Sequence, residues 1–400
     1  MLSIIAVLAV VVAAQATPAP ASALDIDFDV EFSIPAVHNP DYVRNGTAAM
    51  LKAYAKHYLT PTREMPEAFM SALHKRQDGS VSAEPSGGAE YLIPVTVGGE
   101  QLNLDLDTGS ADLWVFSSLQ PASQRRGHAY YTSSDSSTYQ ALSGSTWNIQ
   151  YADRSGASGV AGTDTVTVGG TTVLGQCVEL AKTVSSSFVS DASDGLIGMA
   201  FSNINTVRPQ QQRTFFDNAK DSLDSPLFAA YLPANEDGSY DFGSTDPSKY
   251  TGNIQYTSVD SSNGFWEYST PHYKVGSTIY SQSGYTGISD TGTTLLLMGD
   301  NAVDNYYAQV SSAEYDSRQG GYVFNCSESL PTLSISIGYL NFATIPGSLL
   351  NFAYIGNGQC FGGLQSVGAG GQNIYGDVFF NANYGVFDAS GPSFGFAPLN

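Results

Sequence analysis

From Glu90 onward, apolar residues fall in short runs rich in Val, Ile, Thr and Tyr, broken every few positions by Gly, Ser, Asn or Asp. Runs of that length between turn residues predict strands. With forty-one glycines and little 3.6-residue periodicity, the chain predicts an all-β body. Helical spacing is confined to residues 48–58, 214–222 and 302–310, and the last two predict short surface helices.

The pattern also contains a long-range regularity. Asp107-Thr-Gly-Ser110 and Asp290-Thr-Gly-Thr293 each follow an apolar run, 183 residues apart. At nearly the same distance beyond each comes an apolar-apolar-Gly segment, Leu196-Ile-Gly198 and Ile374-Tyr-Gly376. Duplication of a β lobe explains both repeats and predicts a bilobal fold with a cleft between two related halves. A strand passing behind each acidic turn would hold it rigidly. Four hundred residues also exceed the usual size of one domain.

The N-terminal part differs. Residues 1–16 begin with Met, are apolar from Leu2 to Ala14 and carry no charge, as a secretory signal peptide does. Next come a Pro/Ala opening, an alternating acidic stretch from Leu24 to Phe32, the helical segment, Lys75-Arg76 and a Gly/Ser/Glu-rich tract. This arrangement predicts a propeptide over 17–85, with Arg76 as an alternative end. No later stretch approaches the length of a membrane span.

Lys and Arg total 16 against 37 Asp and Glu, a net charge of −21. The imbalance argues against nucleic acid or an anionic membrane as partner and suits work at low pH. Of three cysteines, Cys326 and Cys360 are expected to pair and Cys177 to be a buried core residue. Asn325-Cys-Ser327 is a glycosylation acceptor pattern, and Asn45-Gly-Thr47 is another in the segment expected to be removed.

Two carboxylates brought against each other cannot both ionise freely, so one can take a proton from water while the other donates to a peptide carbonyl. Asp107 and Asp290 are the candidate pair, and neither cofactor nor metal is required. Gly109 and Gly292 would let backbone approach backbone, at positive φ if the turn demands it. Thr108 and Thr291 are placed to hydrogen-bond across the junction, and Ser110 and Thr293 to hold the outer carboxylate oxygens. Beyond the propeptide only His128 and His272 remain, neither near a Gly-x-Ser-x-Gly, and no zinc motif is present.

On these turns, on Tyr91-Leu-Ile-Pro-Val-Thr-Val-Gly98, Phe265-Trp266 and 287–297, residues 88–400 resemble the pepsin-like aspartic endopeptidases, particularly the secreted fungal members. The resemblance implies catalytic aspartates at Asp107 and Asp290, lobes at 86–260, carrying a flap, and 261–400, and a flap hairpin at 147–156. It places Tyr151 over the cleft with its hydroxyl on the Trp114 indole, Ala152, Asp153 and Ser155 beside bound peptide, and Phe188 and Ile288 lining the pocket nearest the cut. Arg154 stands where the family usually has Gly, which leaves acceptance of Lys before the cut open. Family precedent also calls for a basic propeptide residue on the dyad: Lys56, with Arg63 second. The expected protein is a secreted, monomeric acid endopeptidase made as a zymogen, cleaving protein and peptide substrates between bulky apolar residues and inhibited by its own propeptide. A vacuolar protease and a peptide-binding relative without catalysis are the alternatives.

Overall fold

The computed structural model describes residues 31–40, 42–74, 91–150 and 156–400. The signal segment, Lys75-Arg76, and Tyr151, Ala152, Asp153, Arg154 and Ser155 lie outside the described residues.

The chain is built mostly of strands in the bilobal pepsin-like arrangement. The acidic N-terminal stretch leads into β1 (Phe32–His38), followed by α1 (Gly46–Lys56) and α2 (Glu67–His74). The body opens with β2 (Tyr91–Val97), β3 (Glu100–Asp107) and β4 (Leu113–Val115). A long mixed sheet joins the halves: C-terminal strands Asn383–Asp388 and Ser393–Pro398, then Leu227–Tyr231 and Gly238–Phe242, then β1, then β2 and β3. Thus β1 is inserted in the sheet, antiparallel to Gly238–Phe242 on one side and β2 on the other. Its pattern did not announce a strand, because Pro35 interrupts it. The ladder to Gly238–Phe242 supplies the partners instead.

The two repeats take matching forms. Gly195–Gly198 runs parallel to β3, with Leu106 opposite Ile197 and Asp107 opposite Gly198, and antiparallel to β4. Gln372–Tyr375 runs parallel to Thr286–Ser289, with Ile288 opposite Ile374, and antiparallel to Leu296–Met298. Each acidic turn therefore lies across a strand from a distant part of its own lobe. Ladders on both sides restrict the carboxylate's backbone far more than the turn alone could.

The helix expected at 214–222 is an α-turn, Phe215–Ala219, continued by a 3₁₀ turn, and that at 302–310 is Asp300–Tyr307. Neither is a purely surface element. Phe215, Phe216 and Ala219 are buried, as are Ala302, Val303, Tyr306 and Tyr307, because each helix lays one apolar stripe on a sheet. Cys326 and Cys360 form a disulfide closing 34 residues, a loop whose constraint is worth about 3–4 kcal/mol. Cys177 is buried and free. Among the described residues no helix is long and apolar enough to cross a membrane.

Candidate active site

Asp107 ends β3 and Asp290 follows Thr286–Ser289, so the two ladders carry both carboxylates to the junction of the halves. Each turn holds its own carboxylate by short-range bonds. Gly109 N–H donates to Asp107 Oδ1 at 2.8 Å and the Ser110 hydroxyl to Oδ2 at 2.7 Å. Gly292 N–H donates to Asp290 Oδ1 at 3.0 Å and the Thr293 hydroxyl to Oδ2 at 2.6 Å.

The turns are then locked to each other. Thr108 N–H donates to Thr291 Oγ1 at 3.2 Å and Thr291 N–H to Thr108 Oγ1 at 3.0 Å. The hydroxyls in turn donate to carbonyls of the opposite half, Thr108 to Ser289 O at 2.9 Å and Thr291 to Leu106 O at 2.7 Å. All four donors are buried, so losing one leaves a polar group without water, at roughly 1–3 kcal/mol.

Gly109 and Gly292 are not in the positive-φ region where turns often put glycine. The requirement is space. A Cβ on Gly109 would lie 2.5 Å from Asp290 Cγ, and one on Gly292 would lie 2.4 Å from Asp107 Oδ1. Gly292→Ala should push the carboxylates apart and lower kcat on the order of 10²-fold, with KM less affected; a kcat within a factor of three of wild type would count against this account.

The dyad is fully covered by the segment before β2. Lys56, the last residue of α1, places Nζ 2.8 Å from Asp107 Oδ1 and 3.0 Å from both Asp290 oxygens. His57 Nε2 lies 2.9 Å from Asp290 Oδ2 and 3.3 Å from Thr293 Oγ1. The Tyr58 hydroxyl donates to Gln150 O, at the end of strand Gln140–Gln150. Arg63, the second candidate, is elsewhere, pairing with Asp304 at 2.7 Å and Asp300 at 3.3 Å. Burial raises the Asp107 carboxyl, Asp290 adding to the rise and Lys56 opposing it. Burial acts the same way on Asp290, but Lys56 and His57 outweigh it and hold that carboxyl well below the usual range.

Around the dyad, Trp114 is buried and its indole N–H meets no partner among the described residues; Tyr151, the hydroxyl assigned to it by resemblance, lies outside them, as do Ala152, Asp153 and Ser155. Phe188 packs edge-on against Trp114 at 5.0 Å between ring centroids. Ile288 is buried in the core on its ladder with Glu267 and Ile374. Asn325 is exposed, its Oδ1 accepting from Ser327 Oγ at 2.9 Å. Among the described residues no cluster of three or more His, Cys, Asp or Glu side chains is placed to hold a metal ion.

The eukaryotic aspartyl protease family profile matches residues 90–399. The chain belongs to that family. It is 53% identical to aspergillopepsin-1 of Aspergillus oryzae over 92% of each chain, and 54% identical to penicillopepsin-1 of Penicillium janthinellum over 77% of this chain and 95% of that one. Endothiapepsin of Cryphonectria parasitica is 47% identical over 92% of this chain and 90% of its own. A match covering 92% of the chain necessarily takes in much of the segment before Tyr91. This aspartyl protease thus shares with A. oryzae aspergillopepsin-1 part of the segment that covers the dyad.

Two features of the protease were not foreseen from the pattern. One is His57. The other lies behind the Asp107 turn, where buried Asp112 and Glu179 face each other across the Asn205 amide, whose Nδ2 is 2.9 Å from Asp112 Oδ1 and 3.0 Å from Glu179 Oε1. Among the described residues Glu179 Oε2 meets no donor, and a proton shared with Asp112 would satisfy it. Burial, with Asp112 adding, pushes Glu179 well up, and burial also raises Asp112. A group raised on folding stabilises the fold below its unfolded pKa and loses that contribution as pH rises through its folded value. Glu179→Gln should therefore stabilise the protein at pH 7 relative to wild type by about 1–2 kcal/mol and have little effect at pH 4. Thermal melts at the two pH values test this; equal shifts at both would reject the shared proton. A charged residue such as Asp112 next to an apolar Leu-Trp-Val run was the available sequence signal.

Proposed function

We propose that this aspartic endopeptidase is a secreted enzyme made as a zymogen, in which Asp107 and Asp290 are the catalytic pair and residues 17–85 are the inhibitory propeptide, Arg76 being the alternative end. The observation that carries this reading is the Lys56 ammonium between the two carboxylates: one cation satisfies both acids and fills the place where a water and a scissile carbonyl would have to sit.

With the propeptide gone, the pair is left with one shared proton. The ionised carboxylate removes a proton from a water between the two, and that water's oxygen attacks the peptide carbonyl carbon. The other carboxylic acid donates to the carbonyl oxygen, giving a neutral tetrahedral diol. The carboxyl that took the proton from water then returns it to the amide nitrogen while the other, now ionised, takes a proton from a diol hydroxyl, so the C–N bond breaks, amine and carboxylic acid leave, and the pair again shares one proton. The glycine N–H and hydroxyl bonds to each carboxylate hold the pair in place throughout, and the threonine lock keeps the halves from separating. The apolar surroundings, with Trp114 and Phe188 on one side, favour bulky apolar side chains flanking the cut. The substrates are protein and peptide chains, and the enzyme acts as a monomer. Export follows from the apolar, uncharged residues 1–16.

The test uses the full chain purified at neutral pH. On acidification to about pH 3–4, shortening to a product beginning between residues 77 and 91 is expected, with cleavage of denatured haemoglobin that a statine-type inhibitor blocks. Full activity at neutral pH without shortening would overturn the zymogen reading, and insensitivity to the inhibitor would overturn the catalytic pair.

A further inference from the structure

Beyond Lys56 the segment before β2 meets the body again at a site the proteolytic chemistry does not use. Arg63 seats its guanidinium in a cage of the C-terminal half: Nε lies 3.3 Å from Asp300 Oδ1, Nη2 2.7 Å from Asp304 Oδ1 and Nη1 3.4 Å from the Tyr322 hydroxyl. The guanidinium carbon is also 5.4 Å from the ring centroids of both Tyr315 and Tyr322, within the range of cation–π attraction. Each nitrogen of the fork thus has a partner, and two aromatic faces flank the charge.

The cage is made by the body and held in shape by the body's own bonds. The Tyr322 hydroxyl donates to Asp304 Oδ1 at 2.6 Å, and the Ser366 hydroxyl to Asp300 Oδ1 at 2.6 Å. Asp300 and Asp304 are one turn apart on the helix Asp300–Tyr307, while Tyr315 and Tyr322 are paired across an antiparallel ladder, their rings edge to face at 5.7 Å. Burial raises Asp300, but Ser366, Thr62 and Arg63 outweigh it and hold the carboxyl below its usual range. Ser366, the largest of these, stays when the segment leaves. By contrast, the Tyr315 hydroxyl bonds to Glu64 O and Met65 Sδ, partners that depart with Arg63. Removal of the segment therefore opens two carboxylates and two tyrosine faces together.

A track of contacts joins the cage to the dyad. Lys56 meets the catalytic pair, Ala369 N–H donates to Thr60 O at 2.8 Å, and Arg63 fills the cage. A chain with its scissile bond at the dyad and following the same track would bring a side chain roughly five to seven residues from the cut to the cage. We propose that in the processed enzyme the cage is an exosite for arginine in polypeptide substrates, holding a guanidinium as it holds Arg63 and speeding cleavage at the distant bond. Arginine is selected over lysine because a planar fork meets Asp300 and Asp304 at once and lies against the rings, whereas an ammonium is a single point. One exposed ion pair would contribute little, but two carboxylates and two ring faces around one guanidinium contribute more. Binding energy from a group remote from the cut can lower the barrier as well as KM. The inference rests on the zymogen reading, since the cage opens only when residue 63 has left.

The test uses the active enzyme, its N-terminus sequenced, and quenched peptides with one apolar cleavage site and a single Arg stepped from the third to the eighth position on each side of it. Each peptide is compared with its citrulline counterpart, which keeps the shape and removes the charge, and with its lysine counterpart. At one or two adjacent positions on one side, Arg is expected to exceed citrulline about 5–20-fold in kcat/KM, with Lys at roughly a third of the Arg value or less. Asp304→Asn should bring the Arg-to-citrulline ratio to within about twofold of one, and Tyr315→Leu, which removes a ring and no charge, should lower it about two- to threefold. Taking the ratio within each variant cancels any general loss of activity. A ratio near one at every position in the wild type, or a ratio unchanged in both variants, would overturn the exosite, while an N-terminus beyond residue 76 leaves the zymogen reading standing. Active enzyme that still carries residue 63 would overturn both.

Discussion

Asp290→Asn is expected to abolish proteolysis, with kcat/KM falling on the order of 10³–10⁴-fold while the fold is retained. Asparagine has the shape of aspartate, its carbonyl oxygen can still accept from Gly292 N–H, and the Thr108–Thr291 lock does not involve the side chain at all. What it cannot do is carry the charge that takes a proton from water or pass a proton to nitrogen. Asp107→Asn should behave alike, since the chemistry belongs to the pair and not to either member. Haemoglobin cleavage at pH 3–4 on chains of wild-type melting behaviour gives the comparison. A further consequence follows from the contact with Lys56. On the proposed zymogen reading, loss of one negative partner weakens the hold of the segment before β2, and the variant is expected to be unable to process itself. It should stay full-length in acid and be shortened when a trace of active wild type is added. Residual self-cleavage at more than a few per cent of the wild-type rate would show that another group supplies the chemistry.

The second large effect is expected at Lys56. Lys56→Met retains length and apolar bulk and removes the charge that bridges both carboxylates. Breaking a buried pair by removing one partner costs roughly 3–5 kcal/mol, so the undocked fraction of the propeptide should rise about 10²–10³-fold. Conversion at pH 5–6 should then be complete within minutes, against hours expected for the wild type. Part of the grip survives, because α1 and α2 bury Met50, Tyr54 and Phe69 against the body, Arg63 pairs with Asp300 and Asp304, and β1 is held in the sheet. Undiminished latency in K56M would mean that these remote contacts, and not the ion pair, keep the enzyme closed.

The acid response of this protease is the sum of opposed titrations. Burial lifts Asp105 to about 7 against the pull of Lys52, and lifts Asp112, Glu179 and Asp194, so these groups stabilise the acid form and lose that contribution as pH rises. Asp290 and Asp300 are depressed, the first by Lys56 and His57 against burial, the second by Ser366, Thr62 and Arg63 against burial. Both of these face residues of the segment before β2, while Asp217, Asp246, Asp260, Asp316 and Glu328 in the body are held low as well. Acid therefore weakens the contacts that Asp290 and Asp300 make with the segment before β2.

How much of this was legible along the chain depends on the range of each interaction. The two acidic turns could be read directly, because Gly109, Ser110, Gly292 and Thr293 hold their carboxylates across two or three residues, a distance over which sequence and geometry are nearly the same thing. Strand content, the lobe repeat and the strands behind the turns followed from apolar spacing, which is likewise local. Other features depended on what a residue meets after folding. Pro35 concealed β1, whose existence rests on edges supplied by residues 91–92 and 238–242. The 214–222 and 302–310 segments read as surface helices until the sheets beneath them took up their apolar stripes. Gly109 and Gly292 looked like candidates for positive φ, but what they supply is room for the opposite carboxylate.

The sequence by itself determined the two-lobed β fold, the pair of acids and the family to which they belong, since each is encoded in short patterns that repeat. Folding in three dimensions was needed to show that Lys56 and not Arg63 meets the pair, that His57 joins it, and that Asp112 and Glu179 meet at the Asn205 amide. Those facts depend on distances of about 3 Å between residues far apart in the chain, and such distances are set by the packing of whole elements, which no short pattern specifies.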